Sequence, residues 1–213
     1  MTTVAGTPAL IRALRIAFGV FGIVALMWIP TKNFGVEGYS EANFFSYFTI
    51  QSNIIGVVVL LVGGLRDPIT RRWQQFRGAG TLYLVITGII YAVLLSNIDV
   101  QMDGQWTNTA LHRVMPIVML ADWLLVPAAI KLSVRLLGAW LIYPVLYGVY
   151  SLVRGPIVDW YPYPFIDPRA QGYLEMSGKL ALMVVFFAIL AAAVVAVNGF
   201  LARFWRESRT HVA

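Results

Sequence analysis

The stretch that decides the fold is LALMVVFFAILAAAVVAV, residues Leu180–Val197, which contains no charged or strongly polar side chain. An apolar run of this length can cross the hydrocarbon core of a bilayer as a helix. The rest of the chain has the same character: of 213 residues, 59% are hydrophobic and 12% are charged, and the mean hydropathy is +0.74. Soluble domains usually contain about 25% charged residues. The composition therefore predicts an integral membrane protein.

Six apolar blocks follow one another along the chain, each of about 17–25 residues, which is the length that a helix needs to cross a core of about 30 Å. They are Ala9–Ile29, Phe44–Val62, Gly80–Ser96, Asn108–Ile130, Arg135–Val153 and Tyr173–Leu201. No block alternates with the period of two that is typical of a barrel strand. We therefore predict an all-α membrane protein, a bundle of six transmembrane helices that forms one domain over residues 1–213. The first block lacks a small-residue cleavage site and is predicted to be a retained helix rather than a signal peptide.

Basic residues are distributed unevenly between the two sides of this predicted bundle. One side carries eleven, namely Arg12, Arg15, Arg66, Arg71, Arg72, Arg77, Lys131, Arg135, Arg203, Arg206 and Arg209, and the other carries three, namely Lys32, Arg154 and Arg169. Because cytoplasmic loops are enriched in Lys and Arg, both termini are predicted to be cytoplasmic. Topology and anionic membrane lipids then account for the net charge of +6, and no nucleic acid partner is predicted.

A proline- and aromatic-rich segment joins the fifth and sixth blocks: RGPIVDWYPYPFIDPRAQG, residues 154–172. Its aromatic side chains are typical of an interfacial belt at the level of the lipid headgroups. Alternatively, the prolines make the segment a semi-rigid lid over a cavity. The sequence leaves both interpretations open.

Polar side chains inside a bilayer are costly and tend to be functional. The second block is polar only in the half that the topology places in the outer leaflet, which includes Thr49, and the fourth block carries His112 in its first turns. Thr49 is about five residues into its block and His112 about four, so both are expected roughly 6–8 Å below the outer boundary. The topology therefore predicts that this threonine and this histidine share one depth on two helices.

Several functions are open to such a histidine. A neutral imidazole can take a proton from a hydroxyl group and return it to a leaving group, as in Thr–His hydrolysis. It can also relay protons in a small-solute or proton-coupled transporter, together with Arg113 and Asp122. A third interpretation is structural, with His112 bonded to a neighbouring helix and Thr49 bonded to the carbonyl one turn earlier.

Metal and haem chemistry are not predicted. The chain has no cysteine, which excludes disulfides, thiolate metal sites and a cysteine nucleophile. A haem held by two axial histidines is excluded because His112 is the only histidine in the predicted spans, and His211 lies in a polar tail. The sequence thus predicts neither a metal ion nor a cofactor.

Three segments resemble a known family: NFFSYFTIQSN at 43–53, LHRVMP at 111–116 and DWYPYPF at 159–165. They resemble the bacterial branch of the six-span androgen-induced and androgen-dependent TFPI-regulating membrane proteins, the FAR-17a-like family. Characterised animal members hydrolyse fatty acid esters of hydroxy fatty acids with a membrane threonine and a histidine. The resemblance implies a bacterial plasma-membrane hydrolase of lipid or fatty-acyl esters, with Thr49 as the nucleophile and His112 as the general base.

A substrate of that class carries a free carboxylate, so a cation is expected near the ester. The candidate cations at the outer level are Arg113, Arg154 and Lys179, and the candidate oxyanion donors are Asn43, Ser46, Asn53, Tyr47, Tyr91 and Tyr150. Asp122 follows His112 by ten residues, about 15 Å deeper, and is expected to be a structural or proton-handling acid. Asp99 and Asp103, in the outer loop, are more reachable but nothing specific marks them. We therefore expect a Thr–His dyad.

Overall fold

The computed structural model of the chain describes residues 6–95, 105–128 and 130–210. Regular structure in these ranges is entirely helical. The α-helices are α1 (Ala9–Asn33), α2 (Glu41–Phe44), α3 (Phe48–Leu65), α4 (Arg71–Ile90), α5 (Gln105–Thr109), α6 (Met115–Leu125), α7 (Val134–Val158) and α8 (Pro168–Thr210). A π-helical turn at Tyr91–Leu95 extends α4, a second one at Ala110–Val114 joins α5 to α6, and a 3-10 turn at Pro164–Ile166 precedes α8.

Within the described ranges, five helices are long and apolar enough to cross a membrane: Ala9–Asn33, Phe48–Leu65, Arg71–Leu95, Val134–Val158 and Pro168–Phe204. The chain is therefore an all-α multi-pass membrane protein, as its composition predicts. The fourth predicted span is divided into α5, a π-helical turn and α6, and no one of these pieces is long enough to cross a bilayer alone. A crossing by this divided helix, and with it the number six, stays a prediction.

The third span begins earlier than predicted, at Arg71 rather than Gly80. Thr70 caps the helix, because its side chain accepts a hydrogen bond from the backbone N–H of Trp73 at 3.3 Å. The first turns of α4 are therefore helical although they are rich in charge. Arg77 lies within them and is buried, which is possible only because its charge is paired (see below).

The fourth predicted span ends earlier than predicted, at Leu125 rather than Ile130. Val126 leaves the helix with φ −122° and ψ 71°, since the residue before a proline is disfavoured in the α conformation. Asn198 of α8 satisfies the backbone at this break by donating to the carbonyl oxygen of Trp123 at 2.7 Å and accepting from the N–H of Ala128 at 2.8 Å. The predicted end of the third span, at residue 96, lies outside the described residues.

Close packing of α1 on α3 depends on two glycines. A Cβ atom at Gly19 would lie 2.6 Å from Leu61 Cδ2, and one at Gly64 would lie 2.8 Å from the carbonyl oxygen of Arg12. Small residues let membrane helices approach closely, where packing contacts replace the hydrophobic effect. On the other side of α3 and α4, the buried core continues to α6, α7 and α8.

The helices present two distinct ends. At one end, which we call the basic end, Arg12 of α1 donates to the carbonyl oxygens of Gly64 (2.9 Å) and Leu65 (3.0 Å), so the start of α1 lies beside the end of α3. At the other end, which we call the loop end, lie α2 and the segment between α7 and α8, residues 159–167. Arg154 joins these two parts by donating to Asn43 Oδ1 at 2.6 Å.

Four charged side chains, which we call the charged cluster, connect the helices at the basic end: Arg15, Asp67, Arg77 and Asp122. Asp122 accepts from Arg15 Nε at 2.6 Å and from Arg77 Nη1 at 3.0 Å, and Arg15 lies 3.4 Å from Asp67. Arg15, Arg77 and Asp122 are 5%, 1% and 6% exposed. Arg15 and Arg77, which the sequence assigns to the basic flanks of the spans, are thus buried inside the bundle. Pairing makes that burial possible, because an isolated buried charge is very costly.

Candidate functional site

The chain is not helical where α2 gives way to α3, and this break shapes the loop end. Tyr47 is extended, with φ −71° and ψ 134°, so α3 begins at Phe48 and not at Phe44 as predicted. The first backbone amides of a helix have no partner within it. Here, two tyrosine hydroxyls accept from them: Tyr147 from the N–H of Phe48 at 3.1 Å, and Tyr163 from the N–H of Thr49 at 3.3 Å.

Thr49 and His112, the two residues that the topology places at one depth, are in contact. Thr49 Oγ1 lies 3.1 Å from His112 Nε2, and the residues are 3% and 2% exposed. His112 Nδ1 lies 3.2 Å from the carbonyl oxygen of Asn108, which can only accept. A neutral imidazole in this position carries its proton on Nδ1, which leaves the lone pair of Nε2 facing the threonine hydroxyl.

Two π-helical turns meet at this pair. Tyr91 begins one of them and His112 lies in the other, and their rings stack with centroids 4.3 Å apart and planes 25° apart. Asn108 donates to the Tyr91 hydroxyl at 2.9 Å, so the same residue holds both rings. Single π-helical turns inside α-helices occur frequently at functional sites. The orientation of the imidazole is therefore constrained on its face and at Nδ1.

Asn53 connects the two helices that carry the pair. Its Nδ2 donates to the carbonyl oxygen of Thr49 at 2.8 Å and to that of Leu111 at 3.0 Å. The hydroxyl of the neighbouring Ser52 forms a hydrogen bond with Thr87 Oγ1 of α4 at 2.9 Å. These bonds fix the first turns of α3 against α4 and against the turn that contains His112.

Tyr163 completes the site and is not among the residues predicted from the sequence. Its hydroxyl lies 3.3 Å from Thr49 Oγ1 as well as 3.3 Å from the Thr49 nitrogen. Burial raises the pKa of this phenol, although hydrogen bonds with Thr49 partly oppose the rise, so the hydroxyl keeps its proton. We call Thr49, His112 and Tyr163 the hydroxyl cluster. The signal that could have found Tyr163 is the lid interpretation of residues 154–172.

A cavity of about 270 Å³ adjoins the hydroxyl cluster. Thr49 and Tyr163 line it, and nearly all the remaining wall is apolar, from α4, α7 and α8. Val145, Val149 and Val184 also line it and are 44%, 53% and 41% exposed at the surface of the bundle. The cavity therefore reaches the lateral surface of the helical bundle between α7 and α8.

The predicted substrate-binding residues fall into two groups, with Lys179 separate from both. Asn53 and Tyr91 lie at the hydroxyl cluster, and Arg113 lies next to it, with Cζ 5.7 Å from the centroid of the Tyr91 ring. Arg113 is itself exposed. A second group, at the loop end, consists of Asn43, Ser46, Tyr150 and Arg154.

In the second group, Ser46 precedes α3 and therefore does not share a helical stripe with Thr49. Its hydroxyl lies 2.7 Å from that of Tyr150 and 2.5 Å from the carbonyl oxygen of Ala42. Arg154 lies against the ring of Trp160, with Cζ 5.4 Å from its centroid. Tyr47, predicted with these donors, packs edge-on against Tyr163, with ring centroids 5.7 Å apart.

Lys179 is separate from both groups. On α8 it forms an exposed ion pair with Glu175 at 2.7 Å and donates to Gln171 at 2.6 Å. Asp99 and Asp103 lie outside the described residues.

In the ranges that the structure describes, no carboxylate bonds to His112, and no group of three or more His, Asp or Glu residues could hold a metal ion. Asp122 belongs to the charged cluster. Between it and His112, the same helical stretch buries Met115 and Met119, both 0% exposed. The two polar regions are thus separated by an apolar layer. This chain has no match in comparisons with protein-family models, with curated proteins or with solved structures.

Proposed function

We propose that the protein is an intramembrane lipid-ester hydrolase that cleaves fatty-acyl esters with Thr49 as nucleophile and His112 as general base. The observation that carries this proposal is the contact between Thr49 Oγ1 and Nε2 of His112, at 3.1 Å. The second ring nitrogen is held by a carbonyl oxygen, so the imidazole is in the tautomer that can accept the threonine proton. A hydroxyl bonded to an oriented base is the arrangement that activates a nucleophile.

The proposal includes a topology. It has six crossings with both termini on the cytoplasmic side. The distribution of basic residues supports this topology, as does the helical stretch Gln105–Leu125, which at about 1.5 Å per residue is as long as the hydrocarbon core. The resemblance to the FAR-17a-like family supports a bacterial plasma membrane. The loop end then faces outward. The hydroxyl cluster would lie a short distance below the outer surface, within reach of water on one side and of lipid on the other.

The proposed chemistry proceeds in two balanced steps. Thr49 Oγ1 bonds to the ester carbonyl carbon as its proton moves to His112 Nε2, and the carbonyl electron pair moves onto the oxygen. This intermediate collapses, the bond to the alkoxide breaks, and His112 returns the proton so that the alcohol leaves. A water molecule then repeats the sequence on the acyl-threonine, which releases a carboxylic acid and regenerates the threonine. The backbone carbonyl of Asn108 orients the imidazole in place of a carboxylate.

The cavity supports a fatty-acyl substrate. Its wall is almost wholly apolar, Thr49 lies on that wall, and partly exposed valines mark an opening between α7 and α8. An acyl chain could pass sideways from the bilayer into this cavity and bring its ester to Thr49. The resemblance to the FAR-17a-like family points to the same class of substrate, including fatty acid esters of hydroxy fatty acids.

One observation favours the hydrolase over the alternative of a small-solute or proton-coupled transporter. A transport pathway that uses His112, Arg113 and Asp122 requires a polar connection between them. Asp122 is bonded to two arginines, and buried methionines lie between it and His112. The helical stretch that carries both residues therefore buries no polar side chain between His112 and Asp122.

The experiment is ester hydrolysis by the purified protein in detergent or vesicles, with acyl esters of graded chain length. We expect Thr49→Ala and His112→Ala each to lower kcat by at least about 10³-fold, because each removes one half of a unit that acts together. Thr49→Ser retains a hydroxyl and should keep measurable activity. A fluorophosphonate probe should label Thr49 in the wild type and no residue in Thr49→Ala.

The matched control is Thr81→Ala. Thr81 is also a fully buried membrane-helix threonine, but its hydroxyl donates to the carbonyl oxygen of Arg77 and does not touch His112. It should retain wild-type kcat. Full activity in Thr49→Ala would exclude the nucleophile and leave His112 to activate water directly, and wild-type protein without any esterase activity would exclude the hydrolase altogether.

A further inference from the structure

The hydroxyl of Tyr163 has an unusual position relative to Thr49. It is equally distant, at 3.3 Å, from the Thr49 backbone nitrogen and from Thr49 Oγ1. Tyr163 is carried by the segment between α7 and α8 and not by a transmembrane helix. It is 6% exposed, and together with Thr49 it lines the apolar cavity. The Tyr163 hydroxyl, which belongs to the segment between α7 and α8, thus lies beside Thr49 Oγ1, the proposed nucleophile.

The proton positions around Thr49 follow from its partners. The Thr49 N–H can only donate, so the Tyr163 oxygen accepts from it. The Thr49 hydroxyl donates to the unprotonated Nε2 of His112. The Thr49 oxygen can then accept from the Tyr163 O–H, so that Tyr163 both accepts from and donates to the same residue. The Tyr163 O–H is then within donating distance of the oxygen that would attack a substrate.

We propose that the Thr49 N–H and the Tyr163 O–H together form the oxyanion hole of this site. The inference rests on the proposed hydrolase function and names the donors that the sequence left open among six other residues. Because the two donor atoms are 3.3 Å apart, an oxygen atom that lies to one side of the line between them can be at normal hydrogen-bond distance from both. An ester carbonyl oxygen that arrives along the cavity replaces the hydrogen bond between the two groups and accepts one hydrogen bond from each of them. Negative charge that develops on this oxygen is then stabilised by the two hydrogen bonds.

The segment around Tyr163 is built to hold the hydroxyl in position. Its ring stacks on Phe165, with centroids 5.1 Å apart and planes 9° apart. Arg169 forms ion pairs with both ends of the segment, with Asp159 at 2.5 Å and with Asp167 at 2.7 Å. The segment that the sequence offers as a lid therefore has a chemical role in this proposal, because it carries an oxyanion donor.

The test is Tyr163→Phe, assayed for kcat and KM on the acyl ester that the wild type cleaves fastest. This change removes one oxygen and keeps the aromatic packing. We expect kcat to fall about 10²–10³-fold with KM changed less than about threefold, since an oxyanion donor acts in the transition state. The thermal unfolding midpoint should stay near that of the wild type. Phosphonylation of Thr49 by the fluorophosphonate should slow in parallel, because its oxygen occupies the same hole.

The matched control is Tyr143→Phe. Tyr143 is a tyrosine of α7 whose hydroxyl donates to Gln51 Oε1 at 2.8 Å and does not contact Thr49. It should keep wild-type kcat. Wild-type kcat in Tyr163→Phe, with Thr49→Ala and His112→Ala inactive, would overturn the oxyanion role and leave the dyad intact. A rise in KM or a drop in unfolding temperature that accounts for the whole loss would assign Tyr163 a purely structural role and would also overturn the proposal.

Discussion

The charged cluster at the basic end and the hydroxyl cluster at the loop end are both buried polar groups among apolar helices, and they differ in how their atoms are satisfied. In the charged cluster, Asp122 is shared by two arginines, which also donate to backbone carbonyls of α3 and of residue 126. The hydroxyl cluster is uncharged, and next to it the buried Asn53 Oδ1 has no hydrogen-bond partner among the described residues.

The two regions differ also in what lies beside them. Helices and carbonyl groups enclose the charged cluster, whereas the hydroxyl cluster forms part of the wall of a cavity. Buried polar groups that are fully bonded connect helices, and those that keep bonding capacity beside open space can bind a reactant. The comparison therefore supports a stabilising role for the charged cluster and is consistent with the proposed chemistry at the hydroxyl cluster.

The largest effect is expected from Asp122→Ala, which tests whether the charged cluster contributes stability and takes no part in the chemistry. The change leaves two buried arginines without their carboxylate, and we expect a loss of about 3–5 kcal/mol in the free energy of unfolding. Below the lowered unfolding temperature, fluorophosphonate labelling of Thr49 should continue at the wild-type rate. Asp159→Asn, at an exposed carboxylate of the loop end, is the control. Asparagine tolerates the left-handed backbone there, where φ is 50°, so the change should shift the unfolding midpoint little. If Asp122→Ala abolished labelling of a stable protein, Asp122 would belong to the chemistry.

The variant Gly148→Leu tests whether the cavity holds the acyl chain of the substrate. Gly148 lines the cavity, and a Cβ atom there would meet no protein atom within 4 Å, so the larger side chain fills the cavity rather than displacing a neighbour. We expect kcat/KM for long-chain esters to fall at least about tenfold relative to short-chain esters.

Gly138→Leu, on the same helix and with equally open surroundings but away from the cavity, is the control. It should leave the ratio unchanged. Equal losses for long and short esters in Gly148→Leu would show that the cavity does not hold the acyl chain.

The smallest expected effect concerns Asp67, the member of the charged cluster that lies in a loop. Partial burial would raise the pKa of its carboxyl group, but hydrogen bonds from Thr7 at 2.7 and 2.8 Å and the charge of Arg15 hold it below the ordinary value. The stability that it contributes is present above the unfolded pKa of about 3.9 and is lost as the pH falls through the lowered folded value.

The thermal unfolding midpoint in detergent should therefore fall more steeply below about pH 4 in the wild type than in Asp67→Asn. Asparagine tolerates the left-handed backbone of this position, where φ is 45°, so the variant adds no backbone strain. If the unfolding midpoints of the two proteins changed in parallel with pH, Asp67 would not contribute to the stability of the charged cluster.

Much of the fold could be predicted because apolar runs are readable without knowing their neighbours. The bounds were wrong where a local or tertiary partner decides them: Arg77 enters α4 because Asp122 neutralises it, and α6 stops before Pro127. The contact between Thr49 and His112 agrees with the depth that the spans predict, and their catalytic role stays a prediction. Tyr163 could not be found in this way, since a loop residue has no periodic register that fixes its depth.

The sequence by itself determined that this chain is helical and belongs in a membrane, since few charges and long apolar blocks leave no other solvent for it. It also determined which polar residues share a level, because a helix advances a fixed distance per residue. Tertiary structure alone decided which of them touch. The extended residue before α3, the paired π-helical turns and the folded loop bring one hydroxyl, one imidazole and one phenol together. Those contacts depend on helix rotation and loop path, which no local pattern in the sequence specifies.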